Sequence, residues 1–221
     1  MSQELIHVYL MPGMAASPQI FEYIKLPNEQ FQIHYLEWML PIENETLKAY
    51  ALRMNQHIHH DQIVLLGVSF GGILVQEMSR HIKVKKLIIV SSVKSSSELP
   101  KRFLLLKWTR AYKLLPTKWI SNIKLFSKYA FGENVQRRLD LYKRYLSFNQ
   151  PEYLKWAIEQ LVCWKQQEVI PKIVHIHGDH DHVFPIKHIS DCMTIKGGTH
   201  VMIINKFRWF NTHLPTIILE G

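Results

Sequence analysis

The sequence predicts an α/β fold in which a mostly parallel sheet of about six strands lies between two layers of helices. Short, continuous apolar strands such as Ile63-Val64-Leu65-Leu66 alternate with helical patterns along the chain. Strands that are apolar at every position are typical of parallel sheets whose two faces are both covered. The length of 221 residues is sufficient for one such sheet with a single core. We therefore expect a three-layer α/β architecture.

The elements of this fold follow one another in a regular order. We predict strands at residues 5–11, 31–38, 63–66, 87–93, 173–177 and 193–195, and helices at residues 44–59, 70–82 and 201–213. The first helix is assigned from apolar residues at spacings of four, three and four, which fall on one helical face: Leu47, Ala51, Met54 and Ile58. Pro12-Gly13 ends the first strand, and the second ends before Pro41.

Residues 94–172 interrupt this alternation. They show no strand pattern, and their apolar residues recur at helical spacings with Lys and Arg between them. The segment carries 16 Lys/Arg and 6 Asp/Glu, whereas the rest of the chain carries 11 and 12, so the whole positive excess lies here. We predict a helical cap inserted into a core formed by residues 1–93 and 173–221. Its four tryptophans are expected in the cap interior: Trp108, Trp119, Trp156 and Trp164.

Composition excludes several classes of protein. Apolar residues make up 47% of the chain and charged residues 20%, which is typical of a globular protein and not of a disordered one. No run approaches the roughly 20 apolar residues of a membrane span. The polar start Met1-Ser2-Gln3-Glu4 leads us to expect no signal peptide. Two cysteines, Cys163 and Cys192, do not make a disulfide framework, and we expect a cytoplasmic protein.

The pentapeptide Gly67-Val68-Ser69-Phe70-Gly71, followed by Gly72, lies where an apolar strand runs directly into an apolar helix. G-x-S-x-G in that context is a nucleophile elbow, which exposes a serine hydroxyl at the top of a sheet. The glycines remove Cβ atoms that would collide in so tight a turn. The helix behind the serine directs its positive dipole end at the reaction centre. The alternative is a glycine-rich turn without a catalytic role.

A serine nucleophile needs a base and a group that orients the base. Two later predicted strands are followed by loops that supply them, Gly178-Asp179-His180-Asp181 and Gly197-Gly198-Thr199-His200. The carboxyl ends of parallel strands meet at one edge of the sheet, where ligands bind. An Asp or a His in a loop is ordinary by itself. Their joint occurrence in the order serine, acid, histidine predicts a Ser-His-Asp site.

With these motifs the sequence resembles the α/β-hydrolase superfamily over nearly the whole chain. The resemblance rests on G-V-S-F-G-G, G-D-H-D-H-V-F-P and G-G-T-H, in that order. It implies a three-layer α/β-hydrolase fold with a helical cap, Ser69 as nucleophile and His200 as base. The family's glycine-x-x-Asp turn corresponds to Gly178-x-x-Asp181, with Pro185 at the position of a proline that commonly follows. Asp181 is therefore the expected acid, and Asp179 is the second choice.

The resemblance also implies an oxyanion hole made of two backbone N–H groups, those of Phe70 and Met14. Two departures from the family are visible. Pro12-Gly13 stands where the family usually has His-Gly, so Met14 is less firmly assigned than Phe70. The first strand also corresponds to the family's third, and we expect a trimmed sheet without the N-terminal hairpin. The substrate does not carry over, because the cap is the family's most variable part.

The expected function is hydrolysis of a small or medium carboxylic ester or thioester through an acyl-enzyme on Ser69, with no cofactor. One alternative is C–C hydrolysis, lyase activity or acyl transfer on the same triad, and another is a non-catalytic hydrolase-fold receptor. The basic cap would suit an anionic substrate such as a coenzyme A thioester, or contact with anionic lipid headgroups. We favour a solvated helix face. Nucleic acid is not an expected partner, because only charge supports it.

A metal site is a competing interpretation. The stretch from His175 to His180 fits H-x-H-x-D-H, the metal-binding signature of metallo-β-lactamase-like hydrolases. That signature lies early in its fold with further ligands far downstream, whereas only 41 residues follow His180 here. We therefore predict no metal. His175 and His177 are expected to be packed, hydrogen-bonded strand residues, and residues 57–60, which include three histidines, a polar helix end.

Overall fold

A computed structural model of the protein describes residues 5–114 and 144–220. Its centre is a sheet of six parallel strands in the order β2-β1-β3-β4-β5-β6. The strands are β1 (Ile6–Met11), β2 (Phe31–Tyr35), β3 (Ile63–Val68), β4 (Lys86–Val90), β5 (Val174–Gly178) and β6 (Met193–Ile195). Every residue of β3 is buried, as expected for a central strand covered on both faces. The predicted fold class and strand number are confirmed.

Helices cover the sheet. Those that the structure describes are α1 (Leu47–Asn55), α2 (Phe70–Ser79), α3 (Lys101–Thr109), α4 (Pro151–Cys163), α5 (Met202–Asn205) and α6 (Phe207–Leu219). Short 3-10 turns lie at Pro18–Phe21, Ser96–Glu98, Ala111–Leu114 and Ile186–His188. Within the described ranges, no helix has both the length and the apolar character needed to cross a membrane.

Several elements have other ends than the sequence pattern predicts: α1 and α2 stop at Asn55 and Ser79 instead of residues 59 and 82, and β3 continues to Val68 instead of residue 66. β4 stops at Val90 instead of residue 93, because Ser91 adopts a positive φ of 48° that no strand can continue through. β2 stops at Tyr35 instead of residue 38, and Trp38 lies outside the sheet. α1 begins only at Leu47, where the Thr46 hydroxyl caps it by accepting a bond from the third helical N–H.

The predicted C-terminal helix is in fact two helices that run further. A kink at Lys206, with φ −113° and ψ 21°, separates α5 from α6. α6 then continues through Pro215 to Leu219, six residues beyond the predicted end. Proline removes one helical hydrogen bond. The helix nevertheless persists because its apolar face is buried on the core on both sides of that proline: Phe210, Leu214, Ile217 and Ile218.

The strand order places a crevice at the carboxyl edge of the sheet. β2 lies on one side of β1 and β3 on the other, so the chain reverses its direction of winding between them. Ligands of open parallel sheets bind outside the strand ends at such a point. Met11 is paired in register with Gly67. The Pro12-Gly13 loop and Ser69 therefore leave the sheet side by side.

The described part of the predicted cap, residues 94–114 and 144–172, contains helices and 3-10 turns and no strand. Residues 115–143, with Trp119, lie outside the described residues. Trp156 and Trp164 are buried as predicted, but their indole N–H groups donate to Glu45 and Glu77 of the predicted core and not to the interior of the cap; for Trp108, which is 84% exposed, the prediction is wrong. Trp108 lies on α3, a helix that buries none of its residues.

Candidate active site

Ser69 has a backbone conformation that is rare for a residue with a side chain, with φ 54° and ψ −121°. The neighbouring glycines permit it. A Cβ on Gly67 would lie 2.3 Å from the Gly71 carbonyl oxygen, and one on Gly71 would lie 2.2 Å from the Pro12 carbonyl oxygen. Both distances are far inside van der Waals contact. The chain segments can therefore cross here only with glycine, and the serine is held at the tip of the turn.

Ser92, two residues after the end of β4, supports this turn, and the sequence pattern did not reveal it. Its hydroxyl donates to the Ser69 carbonyl oxygen at 2.7 Å. A Cβ on Gly72 would lie 2.5 Å from the Ser92 Oγ, so that glycine makes room for the bond. The Ser69 N–H donates to the Val90 carbonyl at 2.9 Å. The strained residue is thus bonded on both of its backbone groups. The available signal was a serine just after the strand that follows the elbow.

The three predicted catalytic side chains meet at the carboxyl edge of the sheet. His200 Nδ1 lies 2.9 Å from Asp181 Oδ2, and His200 Nε2 lies 2.9 Å from Ser69 Oγ. A carboxylate only accepts, so Nδ1 carries the proton and Nε2 is left with a lone pair. The Ser69 hydroxyl therefore donates to His200. Asp181 and His200 are buried, whereas Ser69 is partly exposed and accessible to a substrate.

Both oxygens of the Asp181 carboxylate accept hydrogen bonds. Oδ2 accepts from His200, and Oδ1 accepts from the Val183 and Phe184 N–H groups at 2.8 and 2.9 Å. Burial by itself would raise the pKa of Asp181. The interaction with His200 and the Phe184 N–H bond outweigh burial, so the pKa lies below its ordinary value. Asp181 is consequently an anion that fixes the imidazole.

Asp179, the second choice for the acid, serves another purpose. Its Oδ1 accepts from the Gly197 N–H at 2.7 Å and lies 2.7 Å from His180 Nδ1. The His180 bond, as the larger effect, and the Gly197 bond lower the pKa of this exposed carboxyl. Asp179 thus bonds to the loop that carries His200, whereas the imidazole of His200 itself is bonded to Asp181.

Two further histidines lie beneath the acid. His177 Nε2 donates to the Phe184 carbonyl at 2.8 Å and lies 3.6 Å from Asp181 Oδ2. Its Nδ1 therefore accepts from His175 Nε2 at 3.0 Å. Burial lowers the pKa of both rings, that of His175 to about 3, and the neighbouring His177 lowers the pKa of His175 further. They are neutral, packed and hydrogen-bonded, as the strand pattern predicts.

The same contacts bear on the H-x-H-x-D-H signature. His175 and His177 point to one another inside β5, whereas His180 is exposed and bonded to Asp179. In the described part of the chain these histidines do not come together as a group that could hold a metal ion.

Two backbone N–H groups are expected to form an oxyanion hole, that of Phe70, which follows Ser69 in the chain, and that of Met14. Phe70 is the first residue of α2, so its N–H has no acceptor within the helix. Met14 belongs to the loop after β1. In that loop Gly13 approaches so closely that a Cβ on it would lie 3.4 Å from the Ser69 Cβ. The Trp38 indole N–H donates to the Gly13 carbonyl at 2.8 Å and holds the loop in place.

A cavity of about 290 Å³ adjoins this loop. It is lined by residues from three segments: Ala16, Ser17, Pro18, Gln19, Glu37, Trp38, Ser147 and Phe148. Trp38 also stacks on Phe70, with ring centroids 5.3 Å apart. Trp38 thus links the cavity to Phe70, whereas Ser69, Phe70 and Met14 are not among the residues that line it. A second cavity, of about 430 Å³, is lined by Leu104 of α3 and Val162 of α4, and its lining does not include Ser69.

Neither a protein-family model nor a curated protein sequence matches the chain. Solved structures do. A bromoperoxidase from Bacillus anthracis is 16% identical with a TM-score of 0.73, and the match covers 99% of this chain and 93% of that one. An esterase from Exiguobacterium antarcticum is 17% identical with a TM-score of 0.72 and coverages of 100% and 94%.

A hydrolase from Pseudomonas aeruginosa PA01 is 14% identical with a TM-score of 0.74, and the match covers 98% of this chain and 91% of that one. Such identities are too low to carry an activity from one protein to another, but the similarity spans whole chains. It agrees with the parallel six-stranded sheet and with the position of the elbow between β3 and α2. The chain therefore has the α/β-hydrolase fold.

Proposed function

We propose that the protein is a serine hydrolase that cleaves a small or medium carboxylic ester or thioester through an acyl-enzyme on Ser69. One observation carries the proposal: the hydrogen-bonded chain from Ser69 Oγ through His200 to Asp181, with both links at 2.9 Å. A nucleophile bonded to a base, which is itself oriented by a buried anion, is the arrangement that activates a serine.

The reaction follows from the positions of these groups. Ser69 Oγ attacks the carbonyl carbon while its proton passes to His200 Nε2. Asp181 stabilises the imidazolium that forms. The negative charge on the former carbonyl oxygen is stabilised by the N–H groups of Phe70 and Met14. When the tetrahedral intermediate collapses, His200 returns the proton to the departing alcohol or thiol. The same histidine then activates a water molecule that hydrolyses the acyl-enzyme.

The surroundings of the acid favour this sequence of steps. Asp181 is almost fully buried, and a charge pair in a buried site is much stronger than one in water. The lowered pKa of Asp181 keeps it ionised at neutral pH, so it faces His200 as an anion. His177 lies beside Asp181 but is neutral, so it puts no positive charge next to the carboxylate. Its Nε2–H donates to the Phe184 carbonyl.

The helical segment 94–172 is proposed as the cap over this site, with residues 1–93 and 173–221 as the core. The support comes from α4. Its Trp156 donates from the indole to the Glu45 carbonyl at 2.7 Å and packs edge-on against Phe70, with centroids 6.1 Å apart. The helix therefore touches the residue that follows the nucleophile. A cap so placed would shape the acyl pocket and exclude water.

The fold alone does not select this chemistry, since one structural neighbour is named a bromoperoxidase and another an esterase. The test is reaction with a fluorophosphonate probe, which labels an activated serine whatever its substrate. The wild type should be labelled at Ser69, and Ser69→Ala should not be labelled. Ser97→Ala, which removes an exposed serine, should be labelled like the wild type. Equal labelling of Ser69→Ala would refute the assignment.

A further inference from the structure

Three histidines from separate parts of the sequence converge near the amino-terminal end of β1, away from the carboxyl edge of the sheet where Ser69 lies. His7 lies on β1, His34 on β2 and His60 in the loop between α1 and β3. Tyr9 joins them. It is two residues from His7, so both side chains lie on the same face of β1, and it is paired in register with His34. The sequence pattern had indicated only a polar helix end at His60.

The contacts among these rings are close. His7 Nδ1 lies 2.9 Å from His34 Nε2. The rings of His7 and His60 are stacked with centroids 3.6 Å apart, and the centroids of His34 and His60 are 4.7 Å apart. One ring nitrogen from each histidine lies within 4.8 Å of the other two. Among the described residues, this is the group of three or more His, Cys, Asp or Glu side chains whose ligand atoms lie close enough together to hold one metal ion.

These separations suit a metal ion. Imidazole nitrogens bind zinc at about 2.0–2.1 Å, which puts two ligands of a tetrahedral site about 3.4 Å apart. The nitrogens of His7 and His34 are already near that separation. For His60 to join them, its ring has to leave the stack on His7 and rotate while it keeps its bond to Tyr9, which its exposed position in a loop permits. A nitrogen–nitrogen hydrogen bond also needs an acceptor lone pair, so at least one of the His7–His34 nitrogens is unprotonated.

Tyr9 completes the arrangement. Its oxygen accepts from the His59 N–H at 3.3 Å and lies 2.6 Å from His60 Nδ1. If His60 Nδ1 carries the proton and donates it to Tyr9, His60 Nε2 has the free lone pair that a metal requires. A hydrogen bond to the second ring nitrogen is the usual partner of a metal-binding histidine, because it fixes the tautomer and the ring orientation.

We propose that His7, His34 and His60 form a binding site for a divalent late first-row transition-metal ion, with zinc as the representative case. Three imidazoles are typical ligands for zinc, copper and nickel. The site would stabilise the fold and would not take part in ester cleavage. His7 and Met11, the last residue of β1, are about 13 Å apart at the usual rise per residue of a strand, and the loop towards Ser69 begins only after Met11. The ion would join the edge strand β2 and the loop after α1 to β1.

The first measurement is binding of Zn²⁺ to the full-length, chelator-stripped protein, in competition with a chromophoric chelator. We expect one equivalent to bind, and Co²⁺ in its place to give the visible absorption of a low-coordinate site. Because an ion that binds only the folded state stabilises it, Zn²⁺ should also raise the melting temperature. Absence of stoichiometric binding would overturn the proposal.

Substitutions of the proposed ligands and of control histidines test where the ion binds. His60→Gln and His34→Gln should each lower the Zn²⁺ affinity by more than tenfold, and Tyr9→Phe by about tenfold. His59→Gln changes a neighbouring exposed histidine and should bind as the wild type does. His60 is exposed, so its variant is expected to fold even if that of His34 does not. Unchanged affinity in His60→Gln, or loss of the ion in His180→Gln instead, would contradict the site.

The proposal is independent of the proposed function. Ser69→Ala should bind Zn²⁺ with wild-type affinity, and removal of the ion with EDTA should leave ester hydrolysis at 25 °C unchanged while lowering the melting temperature. Loss of activity on EDTA treatment, restored by Zn²⁺, would show that the ion belongs to the chemistry and would overturn the purely structural role.

Discussion

At the scale of single residues, Ser69, the proposed nucleophile, is held in a strained backbone conformation. A positive φ costs a residue with a side chain about 1–2 kcal/mol. Here the conformation is held by bonds from Ser92 to its carbonyl and from its own N–H to Val90. Because these bonds come from the end of β4 and the residues just after it, and not from the elbow itself, the G-x-S-x-G motif predicts the turn but not what keeps it in place.

The assignment of the acid is decided at this scale too. Asp181→Asn should lower kcat by about 10⁴-fold, because an amide at this position leaves His200 in the wrong tautomer and its imidazolium without support. Asp179→Asn should cost far less, since Asp179 contacts His180 and Gly197 and not His200. Steady-state hydrolysis of p-nitrophenyl acetate by the two variants measures the difference. A reversed ranking would mean that Asp179 is the acid.

The buried His175 leads to a second prediction at the scale of single residues, which concerns how the free energy of unfolding depends on pH. The pKa of His175 is lowered to about 3 in the folded protein, mainly by burial. In the unfolded chain this histidine has a pKa of about 6.5 and binds a proton that it does not bind in the folded protein. The free energy of unfolding therefore falls as the pH drops below about 6.5. Between pH 7.5 and 5.5 this one residue removes about 1.4 kcal/mol from the free energy of unfolding.

Urea unfolding at these two pH values checks the prediction. The difference in unfolding free energy should be about 1.4 kcal/mol smaller for His175→Gln than for the wild type. Glutamine retains a donor for His177 Nδ1, which protects the variant from a lost hydrogen bond. His59→Gln, at an exposed site, should keep the wild-type difference. If His175→Gln also kept it, His175 would not be the neutral buried group described above.

At the scale of elements, the site depends on how closely the loops after β5 and β6 approach one another. A Cβ on Gly178 would lie 2.2 Å from the Gly198 carbonyl oxygen. The His180 N–H donates to that same oxygen at 2.9 Å. The start of the predicted cap is tied to this region as well, since Lys94 and Glu98 bond to Ser190 in the loop before β6.

Gly178→Ala should therefore push the acid loop away from the histidine loop. A shift of about 1 Å between Asp181 and His200 is expected to lower kcat by about 10²-fold, with a smaller change in KM. Gly197→Ala is the matched control. It places a Cβ at a positive φ of 65°, but that atom meets only the flexible end of Lys206, at 3.5 Å. The control should lose stability while keeping most of its kcat.

The element ends show what a sequence pattern can and cannot predict. Apolar periodicity located all six strands and the helices of the core, because burial imposes that pattern. It could not place the end of β4, which is set by the positive φ of Ser91, or the break between α5 and α6 at Lys206. These features depend on single backbone conformations, and neither Ser nor Lys signals them.

For the whole molecule, the order of the strands explains why distant residues share one site. The chain reverses between β1 and β3, and this leaves Ser69, the Met14 loop and the later Asp and His loops around one crevice. The motifs predicted Ser69, Asp181 and His200 because each follows a strand end. The cluster of His7, His34 and His60 had no such signal, since only the pairing of β1 with β2 and the packing of a loop bring it together.

The uneven charge distribution gives a prediction for the whole molecule. The net charge of +9 lies entirely in residues 94–172, and α3 presents its basic residues on a helix that buries none of its side chains. We expect a solvated face, so an anionic thioester and a neutral ester of matched acyl length should show the same change of kcat/KM with salt. A fall confined to the anionic substrate would instead indicate electrostatic selection, because salt screens exposed charges.

The most direct test of the account is the turnover of p-nitrophenyl acetate by Ser69→Ala, with circular dichroism and thermal unfolding to show that the variant is folded. Ser69 is proposed as the nucleophile whose Oγ carries the acyl group. Its removal should therefore leave only the rate supplied by substrate binding and oxyanion stabilisation. The expected loss in kcat is at least about 10³-fold. Near-normal turnover by the folded variant would contradict the proposal that Ser69 is the nucleophile.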